Sequence, residues 1–145
     1  MKFELQSKPT IGVMLGDVTG IGPEIAAKVL ASGAYALPHA ATHAAVLPHA
    51  VACLEAFAPT AMSRLAAALG AASDPAKALW DLTARLGAPT SLAQLGFRHQ
   101  DVDAAADLVV AAAADKNLAG PRPVEREWVA ELLLAAWDGT RPQDS

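Results

Sequence analysis

The sequence predicts a mainly α-helical bundle preceded by a short strand–glycine loop–helix appendage. Three observations predict it. Thirty-five of the 145 residues are alanine, the best helix former and a poor strand former. From Gly33 onward, apolar residues recur at helical spacing between clear stop signals. A strand-like run occurs once, at Thr10-Ile11-Gly12-Val13-Met14-Leu15, and is followed at once by the glycine-rich stretch Gly16–Gly22.

The appendage comes first. Pro23 suits a first helical turn, and Glu24 beside it complements the helix dipole, so a helix over Pro23–Ala31 is expected to stop near Ser32-Gly33. The next helix runs from about His39 to Phe57. Another begins at Pro59, with Met62, Leu65 and Leu69 on one face and Gly70 just past its end. Asp74 as N-cap and Pro75 at the first position open a fourth, whose stripe is Leu79, Leu82 and Leu86 and whose stop is Gly87. Thr90–Gly96 reads as a short capped turn, and about Gln100–Ala114 as a helix. Gly120-Pro121-Arg122-Pro123 reads as a rigid connection. The last helix, about Glu125 to Asp138, places Trp128, Leu132 and Trp137 near one face, widened by Val129, Leu133 and Ala136. A lone strand cannot satisfy its own ladder hydrogen bonds, so the first segment needs partner strands that the rest of the chain does not offer.

Composition excludes several classes of function. With 53% hydrophobic residues, 18% charged and a net charge of −4, the chain is no disordered tail and carries no basic stripe for nucleic acid. The single cysteine, Cys53, forms no internal disulfide, fits a reducing compartment and reads as an inert core thiol. Met1–Gln6 lacks a signal-peptide core, and no stretch of 18 apolar residues lacks polar breaks, so a soluble cytoplasmic protein without membrane contact is expected. A complete two-domain dehydrogenase would need roughly 250 residues, at about 100–200 per domain.

Two features could carry chemistry. The loop Gly16-x3-Gly20-x-Gly22-Pro23-Glu24 would expose backbone N–H groups at a helix start, an anion site, or would use its glycines for turn geometry alone. It matches neither the Walker pattern nor the usual dinucleotide fingerprint. The second feature is His39, His43 and His49, three histidines in eleven residues. His39 and His43, four apart, share a helix face and can hold a metal, though two ligands make an incomplete site. Alternatively, His39 packs at the helix start and His49 lies at a kink behind Pro48. His99 reads as a surface residue, and Trp80, Trp128 and Trp137 as core anchors.

Two family resemblances refine this reading. Met14-Leu15-Gly16-Asp17-Val18-Thr19-Gly20-Ile21-Gly22-Pro23-Glu24-Ile25 resembles the start of the 4-hydroxythreonine-4-phosphate dehydrogenase family, over about Pro9 to Leu30. From about Gly33 to Pro142 the chain resembles maleylacetate reductase, a branch of the iron-containing alcohol dehydrogenase superfamily. That likeness is carried by Leu37-Pro38-His39-Ala40-Ala41-Thr42-His43, Leu79-Trp80-Asp81-Leu82, Arg85-Leu86-Gly87-Ala88-Pro89-Thr90 and Pro121-Arg122-Pro123-Val124. It implies a helical C-terminal domain and NAD(P)H-dependent reduction of maleylacetate to 3-oxoadipate in aromatic catabolism. It implies that His39 is a metal ligand, of a set of one Asp and three His whose other members lie upstream in the family, and that His43 is a catalytic residue lining the substrate cleft. Ala41 stands where the reductases commonly have Glu.

The expected organisation is an N-terminal segment over 1–32, a reductase-like helical domain over 33–142 and a tail over 143–145. The two resemblances change over near Ala31-Ser32-Gly33, which suggests a fused or incomplete oxidoreductase, inactive alone, to which neither NAD(P)H nor a divalent metal is expected to bind unaided. A 4-hydroxythreonine-4-phosphate dehydrogenase-like fragment and a non-catalytic helical interaction module are the alternatives. In the last, an exposed apolar face would bind a partner or a second copy of the chain.

Overall fold

The computed structural model describes residues 22–115 and 123–142. Six helices make up the fold: α1 (Gly22–Ala31), α2 (His39–Leu54), α3 (Pro59–Ala68), α4 (Pro75–Arg85), α5 (Val102–Asp115) and α6 (Arg126–Asp138). Short 3-10 turns over Glu55–Phe57, Ala93–Leu95 and His99–Asp101 link them, and no strand occurs among the described residues. The strand and loop expected over residues 10–21 and most of the Gly120–Pro123 connection lie outside the described residues.

The stop signals act as their chemistry requires. Asp74 caps α4, its carboxylate accepting the Lys77 N–H at 2.9 Å, and Pro75 follows at the first helical position. Gly70, Gly87, Gly96 and Gly139 take φ of +68°, +67°, +87° and +71°, the left-handed region that glycine enters without Cβ strain. The stripes are less uniform than their spacing suggests. Met62, Leu65 and Leu79 are buried, but Leu82 is half-buried and Leu86 is 42% exposed.

Helix α2 is the centre of the bundle. It packs against α1, α4 and α6, while α5 lies against α1 and α6, and α3 lies against α4. The main core joins Ile25 and Leu30 of α1, Val46 and Leu54 of α2, Leu92 and Phe97 of the connecting loop, Val109 of α5 and Trp128 and Leu133 of α6. A smaller one joins Val51 of α2 to Met62, Leu65 and Leu79. Buried Ala26, Ala45, Ala50, Ala105, Ala106 and Ala136 let the helix backbones approach closely, so the alanine content serves packing as well as propensity. The stretch His39–Phe57 is long and apolar enough to cross a bilayer by composition alone. In this fold its buried side chains, Val46, Ala50, Val51 and Leu54 among them, pack within the bundle, while Phe57 is exposed. Helix α1, expected as part of an appendage, shares the main core with α2, α5 and α6.

The C-terminal end of α6 is tied to the loop after α4 by directional contacts. The Leu92 N–H donates to the Ala136 carbonyl at 2.8 Å, Trp137 Nε1 to the Phe97 carbonyl at 2.9 Å, and Trp80 Nε1 to the Gly139 carbonyl at 3.0 Å. Arg141 grips Asp81 through two hydrogen bonds of 2.8 and 2.7 Å. Gly139 has no room for a side chain, because a Cβ there would stand 2.4 Å from Ser91 Cβ and 2.7 Å from the Thr90 carbonyl. Gly70 has the same backbone sign and nothing within 4 Å. Gly139→Ala is therefore expected to destabilise by more than the roughly 1–2 kcal/mol of a left-handed alanine, and Gly70→Ala by about that amount only. Urea denaturation of the two variants side by side checks the ordering.

Candidate functional site

The histidine-bearing helix α2 is entered through a tight reversal. At the end of α1 the Tyr35 and Ala36 N–H groups both donate to the Ser32 carbonyl, at 3.1 and 2.9 Å, and the Leu37 N–H donates to the Leu30 carbonyl at 3.0 Å. Ala36 takes φ +52°, the one non-glycine residue with positive φ among the described residues. Leu37 is then buried, and Pro38 turns the chain into α2.

Pro38 has no side-chain group to cap the helix, and the first turn contains no acidic residue. Thr42 takes over the ordering of this turn. It is fully buried, and both its N–H (2.9 Å) and its hydroxyl (2.8 Å) donate to the Pro38 carbonyl. His39 at the first position of α2 is exposed, and His43 one turn later is half-buried. Their rings are 6.4 Å apart between centroids and inclined by 32°. The structure thus brings together the two site residues predicted from sequence, on one face of one helix start. Among the described residues no group of three or more His, Cys, Asp or Glu is placed to hold a metal ion. His39 and His43 do not make a complete metal centre on their own.

His49 is separated from that pair by its surroundings. It follows Pro48, which lies inside α2 and cannot donate to the carbonyl four residues back, yet the helix continues through it. His49 is 4% exposed, and its Nε2 has no hydrogen-bond partner. Burial drives its pKa down to about 4, with the Asp138 carboxylate opposing weakly. It is a neutral core imidazole, remote in character from a ligand or acid–base group. Its burial was not visible in the spacing, because the three histidines look equivalent in a one-dimensional pattern.

Sequence reasoning also missed the aromatic contacts that bracket the loop before α5. Tyr35 meets Phe97 edge-on at 5.2 Å, and His99 meets Trp137 edge-on at 5.0 Å. His99 is exposed, as expected, but packs on a ring rather than standing free. Arg98 pairs with Asp101 at 2.7 and 3.0 Å, and Arg126 bridges Asp107 and Asp103 at 2.7 and 3.1 Å. These exposed pairs lie at or near the starts of α5 and α6.

An all-helical bundle whose central helix presents a histidine pair at its open end defines a class. Residues 20–137 match the family model described as Fe-containing alcohol dehydrogenase family, C-terminal, and the chain belongs to that family. Within it, the similar proteins include maleylacetate reductases. Maleylacetate reductase 1 of Rhodococcus opacus is 43% identical over 112 residues, covering 77% of this chain and 30% of the relative. Maleylacetate reductase of Burkholderia cepacia is 47% identical over 111 residues, covering 76% and 30%. The crystal structure of maleylacetate reductase from Agrobacterium tumefaciens superposes with a TM-score of 0.72 at 38% identity, over 90% of this chain and 33% of that one. The chain thus spans about 30% of the length of these curated relatives.

The resemblance of Gly16–Ile25 to 4-hydroxythreonine-4-phosphate dehydrogenases gains no support from this. The family match begins at residue 20 and runs through Ala31–Gly33. The described part of that segment, α1, packs as a core helix of the bundle.

The depressed pKa of His49 has a consequence for stability. In the unfolded chain a histidine titrates near 6.5, whereas in the fold His49 does so at about 4. Between these values the unfolded state binds the extra proton, so stability falls as pH drops from about 6.5 to about 4 and this contribution then levels off. The size is about 3 kcal/mol at 1.36 kcal/mol per unit. Urea unfolding from pH 7.5 to 4 is expected to show this slope, and His49→Gln to flatten it. An equal slope in the variant would assign it to other groups.

Proposed function

We propose that this helical domain forms one wall of a maleylacetate-reducing site, with His43 facing the substrate and His39 available as one ligand of a metal set completed from outside the described residues. The observation that carries the reading is the 43–47% identity to maleylacetate reductases. It covers the helix that holds both histidines at an open end.

The reaction adds a hydride and a proton across the carbon–carbon double bond of maleylacetate, giving 3-oxoadipate. NAD(P)H, if bound beside this domain, would be the source of the hydride, which reaches the alkene carbon remote from the ketone. Electron density then moves onto the ketone oxygen as an enolate, and a proton must reach the carbon beside it. A ring N–H of His43 can donate to that oxygen or supply that proton, as positioned acid–base groups do. Thr42, bonded twice to Pro38, fixes the turn that carries it. No step is assigned to the metal, because two histidines do not complete its ligand set.

In this reading the exposed Leu108 of α5 and Leu134 of α6 are candidates for the surface that meets the nucleotide-binding wall or a second copy. Hydride transfer needs cofactor and substrate held together in a formed cleft, so one wall alone is not competent.

A chimera tests the assignment. Residues 33–142 are placed in the Burkholderia cepacia reductase in place of its matching stretch, and NADH oxidation with maleylacetate is followed. Turnover is expected, reduced about 10²–10⁴-fold by His43→Ala, the range for loss of a general acid, and unchanged by His99→Ala. The purified chain alone is expected to show neither turnover nor saturable NADH binding by calorimetry. A folded chimera without activity would overturn the reductase reading, and turnover by the lone chain would overturn the one-wall reading.

A further inference from the structure

We draw no further inference here: the strongest candidate, the buried imidazole of His49 behind Pro48 within α2, whose Nε2 has no hydrogen-bond partner, carries nothing beyond the pH dependence of stability already derived from it.

Discussion

The fold depends on a single helix that must be buried along its length and wet at its beginning. Helix α2 packs against α1, α4 and α6, and its Val46, Ala50 and Val51 are fully buried. A helix start leaves N–H groups without intrahelical partners, which is tolerable only where water or side chains reach them. Pro38 offers no side-chain cap, so the start of α2 has to lie at the surface. That requirement fits the exposure of His39 and the half-burial of His43, while Val46, Ala50, Val51 and Leu54 further along enter the core. The placement of the histidine pair thus follows from how the central helix begins.

The same helix shows what the core demands of polar groups. Thr42 is buried but satisfied by the Pro38 carbonyl, so it orders the turn at no desolvation penalty. His49 is buried and its Nε2 is not satisfied, so it stays neutral and ties stability to pH. Two polar side chains seven residues apart on one helix therefore do opposite things, and the difference lies in whether a carbonyl is within reach. At the far side of the bundle, Trp80, Trp137 and Leu92 each donate to a carbonyl of the facing segment. This fixes the loop after α4 against the end of α6, and Gly139 is the place where that contact becomes too close for any side chain.

Much of the fold was legible in the sequence because local chemistry dictated it. Asp74-Pro75 starts a helix wherever it sits, and Gly70, Gly87 and Gly139 end helices because their backbones take positive φ. Helix α2 begins at His39 as its Pro38 signal implies, and ends at Leu54 with a 3-10 turn continuing to Phe57. What was illegible is which apolar positions face another helix. Leu79, Leu82 and Leu86 share one spacing, but α4 ends at Arg85, and exposure climbs from 3% at Leu79 to 42% at Leu86 just past that end. Membership of α1 in the bundle was hidden for a related reason. Its Ile25, Ala26 and Leu30 show a core face, but nothing local says whose core they join. At the candidate site, the i, i+4 spacing revealed the pair, whereas the separation of His49 from it required the third dimension.

Under the proposed reading, the architecture also explains why chemistry at this helix start would be shared. A bundle buries its side chains inward, and α2 has already committed three sides to α1, α4 and α6. Its first turn carries the exposed His39 and the half-buried His43, and one turn of helix displays two side chains on a face. Two imidazoles can touch a substrate or contribute to a metal set, but they cannot enclose either, and enclosure is what strengthens electrostatics and aligns reacting atoms. A helix start of this kind therefore acts as a fixed surface against which another structure closes. The maleylacetate reductases that it resembles are longer, this chain matching about 30% of each, and under the proposed reading such a surface would be closed by further structure.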